Sequence, residues 1–194
     1  EKNRDKAVSL IEEAATKGAQ IVCLPELFTS PYFCTAEHAP FDYAESLDGE
    51  TSKVLSQAAK DNSVFLVGGS FHEKDGNQYF NTSLVFDEEG KNLGHYRKIH
   101  IPHDPCFYEK NYFQEGNTFY KIFETRFAKI AVLICYDQWF PEAARSLALL
   151  GADIIFYPTA IATVEGISQQ EGNWQEAWEN VQRGHAIANS LIVA

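Results

Sequence analysis

Residues 127–158 read FAKIAVLICYDQWFPEAARSLALLGADIIFYP and contain two apolar runs separated by a helical pattern. The first run ends at Cys135, and both runs are short and rich in branched aliphatic residues, as strands buried on both faces are. Between them, polar residues and Pro141 open a pattern that stops at Gly151, which predicts a helix over 138–150. A strand, a helix and a second strand in this order indicate an α/β fold.

The rest of the chain continues this alternation. Further helices are predicted over 5–17, 50–60 and 172–190, and further strands over 20–25, 63–71, 81–87 and 93–98, with KIFET at 121–125 pairing with the run before Cys135. Asp75-Gly76 and Glu89-Gly90 supply hairpin turns, so some neighbouring strands are antiparallel. We therefore predict a layered α/β fold with mixed sheets in one domain, 1–194, without repeats or linkers.

The charge balance limits the classes of partner. The chain of 194 residues has a formal net charge of -11, which repels phosphate backbones and anionic lipid surfaces. No nucleic acid and no membrane is therefore expected as a partner, and a small neutral or cationic substrate fits better. No apolar run approaches a membrane span and the first residues are too polar for a signal peptide, so we expect a cytoplasmic protein.

The cysteines and the chain ends complete this picture. The four cysteines form no CxxC pair, which argues against disulfides and a structural zinc site. Metal binding by the residues around His100 and Asp104 is a weak signal, and neither a metal nor a cofactor is expected. The chain opens inside a helical pattern and closes on LIVA at 191–194, so we expect a domain truncated at both ends.

Three polar residues follow apolar runs directly, namely Glu26, Lys98 and Cys135. The carboxyl ends of strands form the ligand crevice in open α/β sheets, so these residues are predicted to converge there. A thiol needs a neighbouring base for activation, and Glu26 can supply it. The ammonium of Lys98 would favour a thiolate and, with the Tyr136 amide, stabilise an oxyanion. Taken singly, each residue is more often a core cysteine, a turn carboxylate or a surface lysine.

Together, however, the segments around these residues carry a specific resemblance. LPELF at 24–28, YRKIHIP at 96–102 and ICYDQWFPEAAR at 134–145 resemble, in order, the three catalytic motifs of the nitrilase or carbon–nitrogen hydrolase superfamily. The resemblance implies a four-layer α-β-β-α sandwich that assembles into homo-oligomers. It also implies a general base at Glu26, an oxyanion-stabilising Lys98 and a nucleophile at Cys135.

A fourth candidate lies in YEKNYF at 108–113. Glu109 matches a second active-site glutamate of the family, although a salt bridge between Glu109 and Lys110 is the alternative interpretation. Two carboxylates and one ammonium beside a thiol should push one carboxylate pKa upward. Asp137 and Arg145, around the turns after the nucleophile, are predicted to be structural, with Arg145 in a buried ion pair.

The resemblance also bears on the substrate, which is expected to be a small amide. Within the family, the motifs are most similar to the branch that hydrolyses N-carbamoylputrescine to putrescine, carbon dioxide and ammonia. Gln138 and Trp139 stand where carbamoylases for amino acids carry carboxylate-binding arginines. Tyr32, Tyr136, Trp139 and Glu165 are candidate contacts for a diamine tail. An ω-amidase, a β-ureidopropionase and a non-catalytic interaction module remain open alternatives.

Overall fold

The structure is a computed structural model that describes residues 2–39, 43–164 and 171–194. This part of the chain contains four α-helices, α1 (Lys2–Thr16), α2 (Glu50–Asn62), α3 (Pro141–Leu149) and α4 (Trp174–Asn189). Its strands are β1 (Ile21–Cys23), β2 (Phe65–Val67), β3 (Phe71–Asp75), β4 (Gln78–Phe86), β5 (Asn92–Arg97), β6 (Phe123–Glu124), β7 (Lys129–Val132), β8 (Ile154–Phe156) and β9 (Ile192–Val193).

The first sheet is built around β4. Strands β2 and β3 lie end to end along one edge of β4, both antiparallel to it, while β5 runs antiparallel along the other edge. Strand β1 adds to β2 in parallel. The single strand predicted over 63–71 is therefore two strands, and the break falls at Gly68 and Gly69.

Close packing explains this break. A Cβ on Gly68 would lie 2.7 Å from Leu55 Cδ1 in α2, and a Cβ on Gly69 would lie 2.2 Å from the Pro25 carbonyl. Gly69 also has a φ of +59°, which L side chains rarely adopt. The glycine pair thus lets a helix and the segment after β1 approach the sheet closely.

The second sheet contains the unit predicted from 127–158. Strands β7, β8 and β9 are parallel neighbours, and β6 pairs antiparallel with β7. Both sheets mix parallel and antiparallel pairs, as predicted.

The apolar cores define the order of the layers. Buried residues of α1 and α2, such as Ile11 and Leu55, pack with Leu66 and Leu84 of the first sheet. A second core joins residues of the first sheet to both faces of the second sheet and to α3, and it includes Val85, Tyr96, Ile130, Ile155 and Leu147. Helix α4 contacts α3 and β9. The result is the predicted four-layer α-β-β-α sandwich.

The helix predicted over 138–150 starts later than expected. Residues Cys135–Trp139 form a 3-10 turn, and Phe140 is extended, with φ -112° and ψ 98°. The extended conformation is the one that a residue before proline prefers, so the α-helix begins at Pro141. Within the described ranges, none of the helices has the length and apolar character needed to cross a bilayer.

Candidate active site

Four polar side chains predicted from the sequence meet where the two sheets face each other. Glu26 follows β1, Lys98 follows β5, Cys135 follows β7, and Glu109 lies in a 3-10 turn, Glu109–Asn111. The ammonium Nζ of Lys98 lies 2.8 Å from Glu26 Oε1 and 2.7 Å from Glu109 Oε2. Lys98 and Glu109 are fully buried and pair with each other, whereas Lys110 is exposed, so the salt bridge between Glu109 and Lys110 is wrong.

The backbone turns sharply at two of these positions. Cys135 has a φ of 43° and Leu27, immediately after Glu26, has a φ of 47°. A left-handed conformation costs an L residue roughly 1–2 kcal/mol, so surrounding contacts must hold it. At Leu27, the Ser70 hydroxyl accepts the backbone amide at 3.0 Å. The strained residues, Leu27 and Cys135, are therefore the ones at which the chain turns away from β1 and β7 beside the carboxylate and the thiol.

Asp137 holds the turn that carries Cys135. Its Oδ2 accepts the Ile134 amide and the Tyr96 hydroxyl, each at 2.8 Å. The Cys135 amide donates to the Pro158 carbonyl at 2.9 Å and is thereby occupied. The structural role predicted for Asp137 is confirmed. Arg145, by contrast, is exposed and donates to Asn189 at 3.3 Å, so the predicted buried ion pair is wrong.

Both oxygens of the Glu26 carboxylate are held in place. Oε1 accepts from Lys98 and from Asn81 Nδ2 at 2.8 Å, and Oε2 accepts the Ala160 amide at 3.0 Å. Neither Asn81 nor Ala160 was predicted to belong to the site. Asn81 begins a short polar run, Asn81-Thr82-Ser83, inside β4, and all three residues are buried, whereas nothing in the sequence points to the Ala160 amide.

Glu109 has a different set of partners. Both of its oxygens accept from Lys98, and Oε1 also accepts the Tyr32 hydroxyl at 2.8 Å. Tyr32 was predicted as a substrate contact, and the structure places its hydroxyl on this carboxylate. Its ring lies 6.0 Å from that of Phe107, which belongs to the cavity described below.

Burial and charge set the protonation of this cluster. Burial, with a smaller effect of Glu26, raises the pKa of Glu109 although Lys98 opposes the rise. Burial alone would lower the pKa of Lys98, but Glu109 and Glu26 outweigh it and hold the pKa well above its usual range. Burial and then Glu26 raise the pKa of the Cys135 thiol, and Lys98 only partly compensates. The expected rise of one carboxylate pKa is confirmed at Glu109, and Lys98 favours the thiolate as expected, but burial and the two carboxylates outweigh it and keep the pKa of the thiol raised.

A cavity of about 310 Å³ opens onto this cluster. Its lining comprises Pro102, Asp104, Pro105, Phe107, Glu109, Cys135, Tyr136, Trp139, Ile161, Glu171 and Trp174. Tyr136 and Trp139, two predicted substrate contacts, are thus in its wall. Glu165, the remaining one, lies outside the described residues. Among the residues described, no group of three or more His, Cys, Asp or Glu side chains has an arrangement suited to a metal ion.

This arrangement supplies the parts of a covalent amide hydrolysis. A thiol lies in the cavity wall, a carboxylate with fixed oxygens can take its proton, and a buried ammonium can stabilise negative charge on a carbonyl oxygen. Because the Cys135 amide already donates to the Pro158 carbonyl, the Tyr136 amide is the backbone candidate for a second oxyanion donor.

Comparison with known sequences identifies similar proteins. A family profile described as carbon-nitrogen hydrolase matches residues 1–194. An N-carbamoylputrescine amidase of Oryza sativa subsp. japonica is 43% identical over 190 residues, which cover 96% of this chain and 62% of the rice protein. A citrullinase of Francisella tularensis is 40% identical, over 98% of this chain and 66% of its own. A human omega-amidase is 39% identical, over 99% and 67%.

Solved structures agree with these matches. A carbon-nitrogen hydrolase from Helicobacter pylori G27 superposes with a TM-score of 0.92 at 41% identity, covering 99% of this chain and 67% of that one. An amidase from Nesterenkonia sp. AN1, with acrylamide added to its active site cysteine, superposes with a TM-score of 0.78 at 26% identity, over 99% and 70%. The chain spans about three fifths of the length of the plant relatives it matches.

Proposed function

Because this chain belongs to the carbon–nitrogen hydrolase family, we propose that the protein hydrolyses the urea-type amide N-carbamoylputrescine through a covalent intermediate on Cys135. One observation carries this proposal. Cys135 lines a cavity of about 310 Å³ at the point where the buried Lys98 joins the carboxylates of Glu26 and Glu109.

The first half of the reaction forms the acyl-enzyme. Glu26 takes the thiol proton as Sγ of Cys135 attacks the carbonyl carbon, which is the role that a raised thiol pKa requires. Lys98 and the Tyr136 amide stabilise the oxyanion of the tetrahedral intermediate. When the intermediate collapses, the carbon–nitrogen bond breaks and the leaving nitrogen takes the proton from Glu26. An acyl group remains on the sulfur.

The second half releases that acyl group. Glu26 accepts a proton from a water molecule that attacks the thioester-type carbonyl, and the carbon–sulfur bond breaks with return of the proton to sulfur. The product is a carbamic acid, which decomposes to carbon dioxide and an amine. Glu109 keeps Lys98 in position throughout, since both of its oxygens accept from Nζ. Overall, one water and one urea yield putrescine, carbon dioxide and ammonia.

The lining of the cavity supports a cationic substrate over an anionic one. Among the lining residues that the structure describes, the charged side chains are the acids Asp104, Glu109 and Glu171, and none is an arginine or a lysine. A carboxylate-bearing amide, as an ω-amidase or β-ureidopropionase would use, has no cationic partner there. The similarity to plant N-carbamoylputrescine amidases points to the same substrate. Citrulline, which carries both charges, is the second ureido compound to test.

A non-catalytic interaction module is the alternative from another class. The buried ion cluster around Lys98 counts against it. Burying charged groups is costly, and apolar side chains of similar size would stabilise a purely structural domain at least as well.

Ammonia release tests the proposal directly. We would assay the protein with N-carbamoylputrescine, citrulline, N-carbamoyl-β-alanine and an ω-amide, with Cys135→Ala as the blank and Cys106→Ala as the matched cysteine control. Turnover of N-carbamoylputrescine that is lost only in Cys135→Ala supports both chemistry and substrate. Cys135-dependent turnover of another amide alone would overturn the substrate, and equal release by Cys135→Ala would overturn the mechanism.

We further propose that the protein acts in the cytoplasm as a homo-oligomer. The four cysteines are free, as expected in a reducing compartment, and large apolar side chains at the end of α3 and on α4 are exposed, namely Leu149, Leu150 and Ile187. A second copy covering them would remove this apolar surface from water. Light scattering after size exclusion tests the assembly, and a monomer at micromolar concentration would contradict it.

A further inference from the structure

Two carboxylates in the cavity lining have no part in the hydrolytic mechanism. Asp104 and Glu171 share the cavity with Cys135, but neither belongs to the Lys98 cluster. Neither has a salt-bridge partner within the ranges that the structure describes. Unlike Glu109, they therefore bring uncompensated negative charge to the space that a substrate must occupy.

The local backbone fixes Asp104 at this position. Asp104 and Phe107 form an isolated antiparallel bridge, in which the Phe107 amide donates to the Asp104 carbonyl at 2.8 Å. Cys106 closes the turn with a left-handed φ of 67°. Three residues of this turn, Asp104, Pro105 and Phe107, line the cavity. A turn of this kind holds a side chain more firmly than an open loop does.

The Asp104 carboxylate also interacts with the active-site turn. The Tyr136 hydroxyl bonds to it and contributes to the raised pKa of that tyrosine, after the larger effect of burial. Because Tyr136 directly follows Cys135 in the chain, this hydrogen bond links the Asp104 carboxylate to the turn that carries the nucleophile. Asp104 and Cys135 thus line the same cavity.

Aromatic rings complete this part of the cavity. The Phe107 and Trp174 rings lie 6.1 Å apart, and Trp139 also lines the space. Aromatic faces and carboxylates together suit an alkylammonium group, because the rings cover the methylenes and the carboxylates attract the charge. Glu171 stands shortly before α4, which begins at Trp174.

We propose that Asp104, assisted by Glu171, binds the ammonium end of an ω-aminoalkyl urea and so determines the specificity of the site. The inference rests on the proposed function for the identity of the reacting group. The competing explanation is that Asp104 only stabilises its turn. That explanation predicts equal effects of a mutation on charged and neutral substrates, whereas an ammonium site predicts an effect on the charged one alone.

Two ureas of matched shape separate these explanations. One is 4-aminobutylurea, which is N-carbamoylputrescine itself, and in the other, n-pentylurea, a methyl group replaces the ammonium group. Asp104→Asn should lower kcat/KM about tenfold for 4-aminobutylurea and leave n-pentylurea nearly unchanged, with Glu171→Gln acting in the same direction. Glu176→Gln, an equal change of charge at an exposed position outside the lining, is the control. A similar fall for both ureas, or no fall for either, would overturn the proposal.

A binding measurement makes the test independent of turnover. Calorimetry of both ureas on the Cys135→Ala protein should show tighter binding of 4-aminobutylurea, and Asp104→Asn in that background should remove the difference. If no urea is hydrolysed by the unmodified protein but this charge preference persists, the proposed reaction fails and the ammonium site stands. Equal affinity for both ureas would sink the ammonium site whatever the enzyme hydrolyses.

Discussion

Asp137 contacts His100 twice, since its Oδ1 accepts the His100 amide at 3.0 Å and lies 2.7 Å from Nδ1 of the ring. His100 follows Lys98 by two residues and Asp137 follows Cys135 by two residues. One buried carboxylate therefore joins the segment of the candidate oxyanion lysine to the turn of the candidate nucleophile. The stacked ring of Phe140, 3.7 Å from that of His100, packs on the same contact.

Replacing Asp137 by alanine should destabilise the protein severely. The Ile134 amide, the His100 amide and the Tyr96 hydroxyl would all lose a buried acceptor, and we expect the free energy of unfolding to fall by about 3 kcal/mol or more. Urea denaturation measures the change, with the exposed Asp61→Ala as control. A loss no larger than that of the control would show that the carboxylate does not hold these segments together.

Lys98→Met should destabilise the protein in a pH-dependent way. The substitution leaves Glu26 and Glu109 buried without a counter-charge, which costs about 3–5 kcal/mol near neutral pH. Because Lys98 opposes the rise in the pKa of Glu109, its removal should raise that pKa further. The defect should therefore be larger at about pH 8 than at about pH 5.

The larger loss of stability expected at alkaline pH follows from proton linkage. A carboxyl group whose folded-state pKa is raised contributes stability that is present below its unfolded pKa and lost as the pH rises through the folded pKa. Lys98 itself has a raised pKa, so its contribution to the unmodified protein persists below the ordinary lysine value of 10.5. Denaturation curves of both proteins at the two pH values give the comparison. A defect that is constant or shrinks toward alkaline pH would contradict it.

Glu26→Gln should abolish turnover while the fold persists. An amide cannot take the thiol proton, and general-base catalysis is typically worth about 10²–10⁴ in rate. The new NH₂ group would also meet the Ala160 amide, a donor, where Oε2 now accepts. We expect kcat for ammonia release to fall at least a hundredfold, with Glu12→Gln on the exposed side of α1 as control. Retention of more than a tenth of the rate would exclude Glu26 as the base.

Gly116→Ala should disturb the site through the backbone of Arg97 and Lys98. Gly116 donates its amide to the Lys98 carbonyl at 2.8 Å, and a Cβ there would lie 2.0 Å from the Arg97 carbonyl. The strand end must shift to relieve this contact, which moves Lys98. Both the free energy of unfolding and kcat should fall. Gly184→Ala in α4 meets no atom within 4 Å and should instead stabilise by up to about 1 kcal/mol. Identical behaviour of the two variants would refute this account.

The sequence was sufficient to place the residues that end strands. Glu26, Lys98 and Cys135 converge because they follow the ends of β1, β5 and β7, and local apolar runs predict strand ends well, whereas Glu109, in a 3-10 turn, was predicted only from the family resemblance. Their hydrogen-bond partners were harder to predict from the sequence. The bond from the Ala160 amide to Glu26 and the role proposed for Asp104 depend on contacts between distant segments, which no local pattern encodes.

The helices and strands themselves were predicted from local sequence, but some of their boundaries depend on contacts between distant residues. The helical pattern over 138–150 is real, but the Asp137 carboxylate competes for the backbone amide of Ile134 and holds a 3-10 turn where the pattern predicted α-helix. The run over 63–71 looks like one strand because its apolar residues are continuous. Only the packing of Gly68 and Gly69 against Leu55 and Pro25 divides it.

The resting protonation of Cys135 bears on how long the protein survives in oxidising solution. Peroxide and most alkylating agents react with thiolates, and a buried sulfur kept as a thiol presents little of that form. We expect hydrogen peroxide to convert Cys135 to sulfenic acid more slowly than it oxidises an unfolded cysteine, as mass spectrometry can follow. A nucleophile that is deprotonated only as it attacks would then be protected from oxidation between turnovers.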